Sequence, residues 1–144
     1  MTQPDLIVSI VREEDVVVAR QEGRRLAEEM GLGLADQTRL ATAISELARN
    51  ILHYAGSGQA IMRMLQSGST HGLEVVLEDH GPGIPDTTLA MQDGYTTREG
   101  SLGAGLPGAR RLAHEFDLKT RSEVAGTTVT IRMWLRSPAR GSDR

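Results

Sequence analysis

The sequence predicts an α+β fold, a two-layer α/β sandwich with helices on one face of a mixed, largely antiparallel sheet. Three observations point to it. Short β-branched or alternating apolar runs occur at "DLIVSIV", "QAIMRML", "LEVVLED" and "TTVTIRMWL". Two longer stretches between the first and second of these runs carry apolar residues at helical spacing. The resulting order, β-α-α-β-β-(α)-α-β-β, has too little strand–helix alternation for a doubly wound parallel sheet.

The elements follow in order. Residues 5–11 are the first expected strand. Asp15 is the expected N-cap of a helix running to about Met30, with Val18, Leu26 and Met30 on its apolar side. "GLGLAD" is a break, and Asp36 is the expected N-cap of a second helix that reaches about Tyr54 and stops at "AGSG". Two strands come next, joined by the polar turn "QSGSTHG". After "HGPGIPD" a short helical piece is expected around 87–92, then an aperiodic loop over 93–104. A helix from about Leu106 to Phe116 leads through "LKTRSEV" and the turn "AG" to the last strand. There Val129, Ile131, Met133 and Leu135 alternate with more polar positions, the pattern of a sheet with one buried face. Residues 1–136 are read as one domain and 137–144 as a disordered tail.

Composition narrows the functional classes. A net charge of −3 gives no global electrostatic case for binding nucleic acid or an anionic membrane. No apolar run approaches the roughly 20 residues of a membrane span, and the N-terminus lacks a signal-peptide pattern, so a cytoplasmic home is expected. Cysteine is absent, which removes thiolate chemistry. Of the 16 basic residues only Lys119 is a lysine. No G-x-x-x-x-G-K-[ST] occurs, and neither V-A-I-K nor H-R-D, so a P-loop and a eukaryotic-type kinase site are both excluded.

One motif invites a wrong reading. Gly103, Gly105 and Gly108 spell G-x-G-x-x-G ahead of a helix. A dinucleotide fingerprint must follow directly on a buried strand, whereas "GYTTREGS" precedes these glycines. The alternative is anion binding by the free N–H groups at a helix start. Without a nearby lysine, backbone N–H groups and an arginine must handle any phosphate charge. Arg98 is the candidate, although a solvated loop arginine is the plainer reading.

Two further elements carry polar groups in suggestive places. In "LATAISELARNILHYAG", Leu40, Ile44, Leu47 and Ile51 form the core stripe, while Glu46 and Asn50 flank it about 40° apart. This is either a plain i,i+4 surface pair or a proton acceptor beside a neutral oxygen suited to a hard cation such as Mg²⁺. In "LEVVLEDHGPGIPD" a strand ends at Asp79, with Gly81 and Gly83 following. A tight turn explains the glycines. It does not explain a carboxylate able to accept from an amino group beside bare backbone that a flat ligand can approach, with Ile84 as its apolar contact.

In this order and spacing, "ATAISELARNILHYAGSG", "EDHGPGIPD", "AMQDGYTT", "GLPGARRLAHEF" and "GTTVTI" resemble the ATPase/kinase superfamily of DNA gyrase, the large heat-shock chaperones, histidine kinases and mismatch-repair proteins. Within it they resemble most the bacterial anti-sigma regulatory serine kinases of the switch-kinase type, over about residues 5–135. The resemblance implies the Bergerat-type ATP-binding fold and ATP with Mg²⁺ as substrate and cofactor. It implies Glu46 as general base, Asn50 as the Mg²⁺ ligand and Asp79 as the acceptor for the adenine amino group. Gly81 and Gly83 would shape the pocket, and residues 93–102 would form a lid. Gly103, Gly105 and Leu106 would hold the phosphates through their backbone, and Thr128 would lie near the adenine and Asp79. His53 is read as structural, packing under the nucleotide site. The implied function is an ATP-dependent protein-serine kinase that phosphorylates a STAS-domain antagonist in a stress or sigma-factor partner-switching pathway. Once released, it would activate a metal-dependent protein phosphatase. The alternative is an anti-sigma factor that holds a sigma factor directly.

Overall fold

The computed structural model describes residues 5–81, 105–120 and 126–135. The elements are β1 (Leu6–Ile10), α1 (Glu13–Glu29), α2 (Leu34–Tyr54), β2 (Gly58–Ser67), β3 (Thr70–Asp79), α3 (Gly105–Leu112), β4 (Glu115–Thr120) and β5 (Thr127–Leu135). They form one five-stranded sheet in the order β1-β2-β3-β5-β4, and all four pairings are antiparallel. This is the expected α+β sandwich. The short helix expected around 87–92, the loop over 93–104 and the tail lie outside the described residues.

Strand alternation makes the core. Val8, Ile10, Ala60, Met62, Leu73, Val75, Leu77, Val129, Ile131 and Met133 are buried on one face of the sheet. They pack in one cluster with Leu40, Ala43, Ile44, Leu47 and Ile51 of α2. In α1 the buried residues are Val16, Ala19, Gly23 and Ala27, a stripe of mostly small side chains. That stripe corrects the expectation for Val18, which is 43% exposed. Small residues win this face because α1 lies close on α2: a Cβ on Gly23 would collide with Ile44 Cδ1.

Both expected N-caps move. Arg12 caps α1, and Asp15 sits in the first turn, where its carboxylate accepts from the N–H groups of Val11 (2.9 Å) and Arg12 (3.1 Å). Gly33 caps α2, leaving Asp36 in its first turn. Asp36 instead faces His114, with Nε2 3.6 Å from Oδ2. The β2–β3 turn is tighter than the sequence suggests. Ser67 pairs with Thr70, so only Gly68 and Ser69 turn the chain, with Gly68 at φ 62°. α3 ends at Leu112 rather than Phe116 because β5 captures the chain: His114 N–H donates to Met133 Sδ, and His114 Nδ1 accepts from Trp134 N–H at 2.9 Å.

The other face of the sheet carries a row of alternating charge that runs from Asp5, just before β1, across the other four strands. Arg63 Nη2 lies 2.9 Å from Asp5 and its Nη1 3.3 Å from Glu74. Arg132 Nε lies 2.9 Å from Glu74, and its Nη1 3.0 Å from Glu115. Glu115 also accepts from Trp134 Nε1 at 2.8 Å. The Trp134 hydrogen bond, then that of Arg132, holds the Glu115 carboxyl below the usual carboxylate range. The Arg63 hydrogen bond does the same for Asp5. Groups lowered in the folded state stabilise it above their ordinary range, and the contribution disappears as pH falls through the lowered values. Thermal stability is therefore expected to be flat near neutrality and to decline below about pH 4. Glu115→Gln should make that decline shallower in a calorimetric pH series; an unchanged slope would remove Glu115 from the account.

Candidate nucleotide site

The site forms where the end of β3 meets the end of α2. Asp79 lies on the same face of β3 as the buried Leu73, Val75 and Leu77, so its carboxylate faces the helix layer. Gly58 of β2 and Thr127 of β5 are its cross-strand neighbours. Asp79 Oδ1 accepts from Gly81 N–H at 2.9 Å, which fixes the carboxylate and leaves Oδ2 for another donor.

Glycine is required around this residue by contact. A Cβ on Gly58 would collide with the Glu78 carbonyl oxygen and lie 2.9 Å from Ile51 Cγ2. One on Gly81 would lie 2.5 Å from Ala55 Cβ, where α2 ends. Gly126 combines both reasons, with φ at 144° and a would-be Cβ 2.9 Å from the Asp79 carbonyl. Asp79 therefore sits in a cradle of bare backbone closed by the last turn of α2.

Glu46 and Asn50 stand further up α2, half-buried, flanking the buried stripe of Leu47 and Ile51. Glu46 has Arg49 Nη1 at 3.7 Å. At about 1.5 Å rise per residue, Glu46 and Asn50 are about 6 Å apart along the axis, and Ala55 lies a further 7–8 Å on. α3 packs against α2 and starts at Gly105. Leu106 and Ala109 are buried in the core, so the first turn is anchored by packing and the Leu106 side chain is committed to it.

Asp79 and Gly81 lie together as expected, Glu46 and Asn50 share one helix, and Gly105 and Leu106 open α3. Gly83, Ile84, Arg98, Gly103 and the expected lid lie outside the described residues. Thr128 is a correction. It pairs with Glu78 on the opposite face, and Thr127 is the residue across from Asp79. The reason is strand parity: one residue along β5 exchanges the faces. His53 is also corrected, being exposed and edge-on to Tyr54 with ring centroids 6.4 Å apart. Sequence reasoning missed Ala55, Gly58, Gly126 and Thr127. "AGSG" and "GTT" contain them, but their value lies in pairings to Asp79 that only the register reveals.

The profile of histidine kinase-, DNA gyrase B- and HSP90-like ATPases matches residues 35–137. The chain belongs to this ATPase family. Within the family it is 50% identical over 129 residues to the serine/threonine-protein kinase RsbT of Bacillus subtilis strain 168, covering 90% of this chain and 96% of RsbT. It belongs with that kinase. It is also 31% identical over 106 residues to the tetrathionate sensor histidine kinase TtrS of Salmonella typhimurium, 67% of this chain but 18% of TtrS. Among solved structures, the RsbU and RsbW domains of Rv1364c from Mycobacterium tuberculosis superpose with a TM-score of 0.59 at 17% identity, over 94% of this chain and 34% of that one. The SiaB–SiaC complex from Pseudomonas aeruginosa gives 0.52 at 12% identity, over 93% of this chain and 91% of that one. At these identities the structural likenesses speak for the fold of this ATPase family alone.

The cradle predicts a graded response to added methyl groups. Gly58→Ala should destabilise by about 1–3 kcal/mol through overpacking against backbone. Gly33→Ala, which meets nothing within 4 Å, should cost less than about 1 kcal/mol, through the α2 cap alone. Urea unfolding of the two variants checks this; equal effects would mean that the close approach at Asp79 is not a constraint.

Proposed function

We propose that this chain is an ATP-dependent protein-serine kinase whose reactive groups are strung along α2. The observation that carries the reading is the placement of Glu46 and Asn50 on the helix whose last turn closes the Asp79 cradle. A nucleotide with its base against Asp79 runs along α2, so its phosphates reach Asn50 and its terminal phosphate Glu46. Asp79 accepts from the purine amino group through its remaining oxygen, and the close-packed backbone at Gly58, Gly81 and Gly126 holds that carboxylate in place for the ring. Thr127 stands across from Asp79 in place of Thr128 as the threonine near the base.

Asn50 is half-buried and makes no side-chain hydrogen bond among the described residues. A neutral carboxamide oxygen suits Mg²⁺, which takes few protein ligands and completes its shell with phosphate oxygens and water. Bound there, Mg²⁺ supplies charge neutralisation of the phosphates. The Glu46 carboxylate takes the proton of the substrate serine as its oxygen forms a bond to the γ-phosphorus. The bond from that phosphorus to the β–γ bridging oxygen breaks, and ADP leaves with the electron pair. The N–H groups of Gly105 and Leu106, at the start of α3, face developing negative charge. Gly83, Ile84, Arg98 and Gly103 complete this reading as base and phosphate contacts, with 93–102 as the lid.

The resemblance to RsbT supports a STAS-domain antagonist as substrate and a phosphatase as the partner activated on release. The pathway is then partner switching in stress or sigma-factor control, in the cytoplasm. Among the described residues no helix is long and apolar enough to cross a membrane.

Two variants separate binding from transfer. Asp79→Asn should weaken Mg-ATP binding by about 10–100-fold while leaving the far-UV spectrum unchanged. Glu46→Ala should leave the calorimetric Kd within a few-fold and lower phosphate transfer by about 10²–10⁴-fold. Equal loss of both quantities in Glu46→Ala would contradict its role as base. The substrate comes from a pull-down with a non-hydrolysable ATP analogue; recovery of a sigma factor in place of a STAS-domain protein would favour the anti-sigma alternative.

A further inference from the structure

We propose that the open face of the sheet carries a docking pocket for an arginine side chain of a partner protein. The pocket, of about 330 Å³, lies at the Asp79 end of the strands and is lined by Ser9, Val11, Ser57, Gln59, Glu78 and His80, among others. Ala55 and Gly58, which also border the Asp79 cradle, close its edge, while its Ser9, Gln59 and Glu78 side chains stand on the sheet face opposite Asp79. Ser9 pairs with Gln59, and Gln59 with Glu78, so their side chains form one row across β1, β2 and β3. Glu78 and Asp79 are consecutive and point to opposite faces.

The polar chemistry of this wall is mostly that of an acceptor. Gln59 Nε2 donates to Glu78 Oε1 at 2.7 Å. That bond aims the carboxamide so that its oxygen is left over, and it leaves Glu78 Oε2 without a partner among the described residues. Two acceptors thus stand side by side on adjacent strands, one of them charged, with the Ser9 and Ser57 hydroxyls nearby. A planar guanidinium matches two adjacent acceptors better than an ammonium does. The charges of the Asp5–Arg63–Glu74–Arg132–Glu115 row are spent on one another, whereas Glu78 makes no ion pair among the described residues, Lys119 standing two strands away in the same row.

The surroundings fit a protein ligand rather than a free small molecule. The next row along the same face is apolar: Ile7 pairs with Ile61, and Ile61 with Val76. Ile7 is 57% exposed, and Val11 at the pocket rim is 58% exposed. A polar pocket beside an apolar shelf is the anatomy of an interface anchored by arginine, where the shelf excludes water from the charge pair. A second copy meeting this pocket by two-fold symmetry would set Glu78 against Glu78, which favours a basic partner instead.

The test is ¹⁵N–¹H NMR of the full chain titrated with N-acetyl-arginine amide, with the lysine and neutral citrulline analogues as controls. The arginine probe should shift the amides of Ser9, Ser57, Gln59 and His80 saturably, with a Kd on the order of 1–10 mM. The lysine analogue should bind more weakly and the citrulline analogue should not saturate. Glu78→Gln should weaken the arginine probe by about tenfold or more, and Gln59→Leu by less, with the remaining spectrum unchanged. The proposal is overturned by equal binding to wild type and both variants, or by shifts elsewhere on the protein. Broadening of the same amides with protein concentration alone would also overturn it, because a second copy would then be the occupant.

Discussion

The structure turns on the close approach of backbone around the last residue of β3. Gly58 on one side and Gly126 on the other allow three strands to meet with no side chain between them, and Gly81 lets the chain fold back against Ala55. The carboxylate of Asp79 is then fixed by the Gly81 N–H, with one oxygen committed and one available. A titratable group placed this way gains its directionality from its neighbours' lack of side chains. Any Cβ here meets backbone or the end of α2, neither of which has a rotamer with which to escape.

From that constraint the division of the molecule follows. α2 contributes both to the core and to the site: Ile44, Leu47 and Ile51 bury its apolar stripe, and the flanks of that stripe carry Glu46 and Asn50. Packing against the sheet therefore sets the orientation of the polar pair, and the helix rise sets its distance from Asp79. The sheet separates two chemistries by parity alone. Odd-numbered residues of β3 build the core and end in Asp79. Even-numbered ones build the open face, with its charged row, its apolar shelf and Glu78.

Much of this was legible in the sequence, for reasons that can be named. α2 was read to its last residue because its apolar period is strong and "AGSG" cannot continue a helix. β5 was read over its full span because each second residue is apolar. Asp79 stood out as a carboxylate at a strand end before glycines. What failed was whatever depended on which partner a residue finds in the fold, near in sequence or far. The caps moved because Asp15 reaches back to Val11 and Arg12, and because Gly33 already holds the extended cap geometry of α2. α3 stopped early because β5 offered His114 better partners than another helical turn. Thr128 gave way to Thr127 because neighbouring threonines carry no local mark of which faces Asp79. The buried stripe of α1 was misread at Val18 because helix–helix contact selects small residues, and hydrophobicity alone does not report that.

The most direct test of the central claim is an NMR titration with adenosine followed by Mg-ATP on the full chain. Adenosine should move the amides of Gly58, Gly81, Gly126 and Thr127 and leave the Asn50 side-chain amide in place; Mg-ATP should then move Asn50 as well. Shifts that spare the four cradle residues while the protein still binds Mg-ATP would contradict the placement of the base at Asp79, and with it the reading of α2 as the phosphate track.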